Sequence, residues 1–222
     1  MPEKAATGAP RTVTLSEHES KRYLSGQGVA VPREALAFSP DQAVTEARRL
    51  GYPVALKASG AAYAHKTELG LVELSLKSDR EVEDACARLM ARAPGLSEFL
   101  VQEMVGGRRE LITGLIRDPH YGPAVMLGLG GVQAEALGDV VFRVAPLSED
   151  DALDMMDELR GGKLLDDFRG EPAVDRAALA RLLVALGEIG LKDPRVAEID
   201  LNPVKLPQGR PLAVDALVVL QD

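Results

Sequence analysis

Residues 109 to 131 read RELITGLIRDPHYGPAVMLGLGG. Two apolar runs flank Asp118-Pro119-His120-Tyr121-Gly122, a string of turn-forming residues, so the pattern predicts an antiparallel hairpin. Before this stretch helices and strands alternate. After it come DVVFRVAPL, a further strand, and then two helices, SEDDALDMMDELR and DRAALARLLVALGEIGLK, with acidic first turns that suit the helix dipole. The chain closes with VAEIDLNPVKL, a glycine turn at PQGR, and PLAVDALVVL, two strands of a predicted hairpin. This order predicts an α+β protein in two lobes, residues 15–102 and 103–222, behind a disordered leader of small and charged residues over 1–14.

The first lobe is well punctuated. LSEHESKRYLSGQG carries Ser16 as N-cap with Glu19 three residues on, and glycines at its end. VAVPREALAFS is a short strand interrupted at Pro32. SPDQAVTEARRLG opens on Ser39, Pro40 and Asp41 and stops at Gly51. YPVALKAS and LVELSL are the next strands, DREVEDACARLMARAP is an amphipathic helix capped by Ser78 or Asp79, and EFLVQEMV is strand-like.

Composition narrows the function classes. The chain has 222 residues, 46% of them hydrophobic and 27% charged, which suits a globular protein with a substantial core. A net charge of -8 and an aromatic content of 4% disfavour nucleic acid and anionic membranes as partners. Cys86 is the single cysteine, which leaves no disulfide framework and no thiolate zinc site. No apolar run reaches the roughly 20 residues of a membrane helix, and the first dozen residues are too polar for a secretory signal. These features predict a cytoplasmic protein.

Several residue groups could carry chemistry. Lys57 ends the apolar run VALK; it is either a solvated strand end or a point charge that reaches a phosphate from a rigid strand. His65 and Lys66 follow on the loop before Gly70. That loop is either plainly polar or a phosphoryl relay, since a neutral imidazole nitrogen is nucleophilic near pH 7. The glycines of GLGG (128–131) form either a flexible turn or a close backbone approach to a ligand, and no Gly-Lys-Ser/Thr loop or dinucleotide fingerprint is present. In EIDLNPV, Glu198, Asp200 and Asn202 alternate, so on a strand they share one face. Asp215 falls inside an otherwise apolar run, where a carboxylate needs a compensating cation or donor. If the two strands pair, Asp200, Asn202 and Asp215 converge as oxygen ligands for Mg²⁺; otherwise they line a wet hairpin edge.

Taken in order, LSEHESKRYLSGQGVAVP, GYPVALK, HKTELGLV, VQEMV, RELITGLIRDPHYGPAVMLGLGG, LLDDFRG, EIDLNPV and VDALVVL resemble an ATP-grasp domain. The likeness is to the nucleotide-binding β subunit of NDP-forming (ADP-forming) acyl-CoA synthetases, relatives of succinyl-CoA synthetase, and spans about residues 15 to 220. It implies two α/β lobes with a nucleotide cleft between them. It also implies a ligase that joins an acid to the thiol of CoA, with ATP/ADP or GTP/GDP as substrate and Mg²⁺ as cofactor. Lys57 then matches the phosphate-contacting lysine, Gln102, Glu103, Met104 and Val105 the adenine hinge, and Glu110 the ribose contact. Asn202 and Asp215 match the Mg²⁺ ligands, with Asp200 beside them, and His65 matches a histidine phosphorylated in transit. A separate CoA-binding/ligase α subunit is the implied partner in a hetero-oligomer. Leu71 and Asp167 depart from the family pattern, which has glycine at both places in many members. Two other functions are compatible with the residues: a stand-alone carboxylate–amine ligase of the same fold, and a non-catalytic nucleotide-binding module.

Overall fold

The computed structural model describes residues 12–60, 63, 69–131 and 138–222. Its elements, in chain order, begin with β1 (Thr12–Thr14), α1 (Glu17–Ser25), β2 (Glu34–Ala37), α2 (Pro40–Leu50), β3 (Val54–Ala58), β4 (Val72–Leu76), α3 (Asp79–Arg92) and β5 (Phe99–Glu103). They continue with β6 (Glu110–Asp118), β7 (Gly122–Leu129), β8 (Val140–Val144), α4 (Glu149–Glu158), α5 (Arg176–Lys192), β9 (Val196–Lys205), β10 (Leu212–Ala213) and β11 (Leu217–Gln221).

Two antiparallel sheets organise the chain. The smaller has the order β2-β5-β3-β4, and the larger runs β1-β11-β9-β6-β7-β8 with β10 also on β9. Each sheet has its own core. In the smaller lobe Val54, Leu56, Phe99 and Val101 face Val44, Ala47, Val82, Cys86 and Leu89 of α2 and α3. Ser39 and Ser78 cap these helices by accepting the N–H of Gln42 and Glu81, and Pro40 opens α2. In the larger lobe Leu111, Leu115, Val125 and Leu127 pack with Met155, Met156, Leu179, Leu183 and Leu186 of α4 and α5.

The hairpin at 109–131 forms as its sequence predicts: β6 pairs β7 from Leu111↔Leu129 to Asp118↔Gly122. Asp118 Oδ1 accepts the N–H groups of His120 and Tyr121 and so shapes the turn. β6 also pairs β9, and there the backbones come very close. A Cβ on Gly114 would stand 2.2 Å from the carbonyl oxygen of Ile199, so only glycine fits opposite Asp200.

Three sequence expectations change. Thr12–Thr14, placed in the leader, form β1 on β11. α1, counted with the first lobe, sends Leu24 into the larger core and touches β11. The last predicted strand is two strands. Its run breaks at Val214-Asp215-Ala216, because Asp215 Oδ1 accepts the N–H of Ala216 at 2.9 Å in place of a ladder partner. Asp215 therefore sits at a bend, not within a continuous strand.

Candidate active site

The period-2 geometry of β3 positions Lys57. Val54, Leu56 and Ala58 point into the helix-covered core, so Lys57 lies on the opposite face. β5 follows the same rule: Phe99 and Val101 face the core, while Leu100 and Gln102 share the Lys57 face through the pairs Lys57↔Leu100 and Ala55↔Gln102. On this second face Glu17 and Lys21 of α1 meet Lys57 and Gln102. Lys57 is only 3% exposed. Its Nζ donates to Glu17 Oε1 at 2.5 Å and to the Val214 carbonyl at 3.3 Å, and lies 3.9 Å from Asp215 Oδ2. Burial pushes its ammonium below the ordinary lysine value, against the pull of Glu17. Lys57 is thus no solvated strand end. It is a buried cation of the smaller sheet that reaches the Asp215 bend of the larger one.

The candidate metal ligands meet at the same bend. Ala213↔Val204 and Leu217↔Asp200 flank the break in a single register, which places Asp215 opposite Asn202. Asp200 lies two residues before Asn202, on the same strand face. Two carboxylates and an amide oxygen are hard donors, and Mg²⁺ is commonly held by one or two carboxylates with nucleotide phosphates completing its shell. The donor set fits. Among the described residues, no group of three or more His, Cys, Asp or Glu side chains makes a site independent of phosphate. A cavity of about 30 Å³ adjoins this bend, bounded by Glu17, Ser59, Gly60, Tyr63 and Asp215. A separate cavity of about 840 Å³ beside Gly28, Arg181 and Pro207 is lined by none of the candidate residues.

The hinge candidates divide by role. Gln102 is 2% exposed, and its Oε1 accepts from Lys21 Nζ at 2.6 Å, so its side chain is committed to the protein. The Glu103 carboxylate takes Arg33 through the backbone N–H at 2.8 Å and Nε at 2.7 Å. The Glu103 and Met104 N–H groups donate to Arg33 and Pro53 carbonyls. The Val105 N–H has no hydrogen-bond partner among the described residues, which suits it to a purine edge. Glu110 lies 3.2 Å from Lys205 Nζ and lines a cavity of about 260 Å³ with Arg109, Leu129, Gly130, Phe168 and Glu171.

Two of the three glycines of GLGG serve packing, whereas Gly131 stands in open space at φ +90°. A Cβ on Gly128 would meet Val140 at 2.7 Å, and one on Gly130 would meet the Glu110 backbone at 3.0 Å. Gly130 N–H donates to the Glu110 carbonyl at 2.8 Å, so the close approach is to the chain itself.

His65 and Lys66 lie outside the described residues. Beyond them Gly70 takes φ +64°, and Leu71 is buried in the smaller core with its carbonyl accepting from Ala58 N–H. Leu71 is therefore a packing residue. Sequence reasoning missed Glu17 and Lys21. Lys21 is 1% exposed and donates to Glu17, Glu34 and Gln102, while His18 Nδ1 lies 2.9 Å from Glu34 Oε1. The available signal was Ser20, Lys21 and Leu24, which place a lysine on the buried stripe of α1 with Glu17 one turn before it.

No helix among the described residues is long and apolar enough to cross a membrane. The two facing lobes and their cleft residues define a nucleotide-dependent protein of the ATP-grasp class, and the chain belongs to that family: the ATP-grasp domain profile matches residues 6–220. Its relatives include the β subunit of ADP-forming acetate–CoA ligase I from Pyrococcus furiosus, 39% identical over 93% of this chain and 91% of that subunit. The ADP-forming acetate–CoA ligase I of Archaeoglobus fulgidus is 37% identical over 91% of this chain, which spans 30% of that longer protein. Among solved structures, the dinucleotide-forming acetyl-coenzyme A synthetase 1 of Ca. Korarchaeum cryptofilum, in complex with coenzyme A and Ca-AMPCP, superposes with a TM-score of 0.89 at 42% identity, covering 93% of each chain. A further structure of that enzyme holds coenzyme A and Mg-AMPPCP, with its phosphohistidine segment pointing towards the nucleotide site; the TM-score is 0.81 at 41% identity, over 93% of this chain and 92% of that one.

Proposed function

We propose that this chain is the nucleotide-binding subunit of an ADP-forming acyl-CoA synthetase and passes a phosphoryl group between His65 and a nucleoside diphosphate. The observation that carries the reading is the meeting of Lys57 Nζ and Asp215 Oδ2 at 3.9 Å, where two lobes converge on Asn202 and Asp200. A buried lysine and hard oxygen donors at one point suit phosphoryl transfer, which depends on positioning and on neutralising spread charge. The kinship with acetate–CoA ligase β subunits supports the same assignment. Val105 and its neighbours hold the purine, Glu110 the ribose, and Lys57 a phosphate oxygen. Asp215 and Asn202, with Asp200 beside them, hold Mg²⁺, which screens the phosphate charge. As the N–P bond at phospho-His65, protonated on its other ring nitrogen, breaks, the bonding pair stays on the ring nitrogen and a β-phosphate oxygen bonds to the phosphorus, leaving neutral imidazole and a nucleoside triphosphate.

The net reaction is acyl-CoA + ADP + phosphate ⇌ acid + CoA + ATP, and it requires a CoA-binding α subunit that supplies the phosphoryl group. A single cysteine and the absence of a disulfide framework support a cytoplasmic setting. The test is co-purification with that partner, then incubation with Mg²⁺ and labelled ATP. Acid-labile label on this chain is expected, and its loss in His65→Asn. Normal turnover by the His65→Asn complex would overturn the relay.

A further inference from the structure

We propose that Glu17 is a positioning residue for the reaction: it aims Lys57 at the transferring phosphoryl group and fixes that lysine to the lobe that carries Asp215. The inference rests on the proposed role of Lys57.

Glu17 and Lys57 are both nearly sealed from solvent, with side chains 7% and 4% exposed. Glu17 Oε1 accepts from Lys57 at 2.5 Å and from Lys21 at 2.6 Å. The two lysines are not equivalent. An ammonium has three donors, and Lys21 spends all of them on Glu17, Glu34 and Gln102. Lys57 spends two, on Glu17 and the Val214 carbonyl, so among the described residues one donor remains. That donor is the one a phosphate oxygen can take. Glu17 and Glu34, with Asp215 3.9 Å from Lys57, offset the two ammoniums, which makes their burial tolerable.

The second half of the argument is mechanical. Glu17 sits on the first turn of α1, which is bound to the larger lobe. Ser20 Oγ accepts the N–H of Val218 at 3.1 Å, Leu15 N–H donates to the Val218 carbonyl at 3.0 Å, and Leu24 lies in the larger core. Val218 is three residues beyond Asp215. Lys57 belongs to the smaller sheet. Glu17 is therefore the bracket through which a strand of one lobe is registered against the metal-ligand bend of the other. Without its carboxylate the two ammoniums face each other across a buried gap, and Lys57 swings away from the phosphate.

A double-mutant cycle on the assembled complex of this chain with its CoA-binding partner tests this. Glu17→Gln and Lys57→Met are made singly and together, and both the rate of ATP-dependent acid-labile labelling and the KM for Mg-ATP are measured. Glu17→Gln is expected to slow labelling on the order of 10- to 100-fold, the cost of misplacing a reacting geometry by about 1 Å. The KM should move by less than about threefold, and in the Lys57→Met background Glu17→Gln should cost nothing more. A carboxylate that served folding alone would impose the same factor in both backgrounds, and that result overturns the proposal. Should Glu17→Gln not fold, Glu17→Asp keeps the charge and withdraws it by one methylene. It should slow labelling in the native background only; a wild-type rate in a folded complex also overturns the inference. A wild-type rate in Lys57→Met itself defeats the underlying reading of Lys57, and is distinguishable because it appears without any change at Glu17.

Discussion

Asp215 does two jobs with its two oxygens. Oδ1 accepts the N–H of Ala216 and so holds the bend between β10 and β11, while Oδ2 faces Lys57. Asparagine keeps an acceptor for the bend and removes the charge, so Asp215→Asn separates the roles. The variant should fold normally and lose at least about tenfold of the Mg²⁺-dependent gain in ADP affinity, which is about 1.4 kcal/mol. Its Mg²⁺-free affinity should hold or rise slightly, since one repelling carboxylate has gone. Calorimetry with Mg²⁺ and with EDTA checks this, and an unchanged Mg²⁺ dependence would count against the metal assignment. Lys57 and Asp215 were legible as candidates because each is a polar side chain in an apolar run, and Asn202 because it alternates with Glu198 and Asp200, patterns local to the sequence. Glu17 was not, because its partner Lys57 on β3 lies 40 residues away, and a glutamate in a helix's first turn already has an ordinary explanation in the helix dipole.

At the level of elements, capping chemistry made the helices readable. Ser16, Ser39, Ser78 and Ser148 each accept the backbone N–H three residues on, as the N-cap rule requires. The strand break at Asp215 was hidden, because a run of Leu, Ala and Val reads as continuous strand until a side chain takes a backbone donor. Between elements, α2 and α3 are clasped by Asp79, the first residue of α3. Its carboxylate accepts from Arg48 Nε at 3.0 Å, from Arg48 Nη2, and from the Tyr52 hydroxyl at 2.7 Å. The Arg48 guanidinium, with Tyr52 second, holds this carboxyl at about 2, below its usual 3.8, while burial first and Asp79 next push Tyr52 up to about 12. A depressed carboxylate value means stability that is present above the ordinary value and is lost as pH falls through the folded one. Asp79→Asn should therefore lower the urea midpoint at about pH 7, and the gap to wild type should narrow from about pH 4 downward. Urea titrations of both proteins across that range decide it; a gap that persists undiminished below pH 3 places the effect in packing or capping instead.

Across the whole molecule, two separate cores make two bodies, and the candidate residues Lys57 and Asp215 lie where they meet. The smaller core supplies Lys57 and the hinge; the larger supplies Glu110, Asn202 and Asp215; α1 is seated on the larger body and reaches into the smaller. This arrangement brings the candidate nucleotide and metal residues to one place. The chain matches 91% of a ligase β subunit but 30% of the longer acetate–CoA ligase, so most of that longer protein lies outside the matched region. The purified chain should accordingly bind Mg-ADP while forming no acyl-CoA from acid, CoA and ATP. Addition of the CoA-binding subunit should bring both acyl-CoA formation and label on His65. Chromatographic assay of acyl-CoA, with and without the partner, is the measurement. Acyl-CoA made by this chain alone would overturn its assignment as one half of a two-part enzyme, and would require a CoA site to be sought elsewhere, with the 840 Å³ cavity beside Arg181 and Arg210 the first place to mutate.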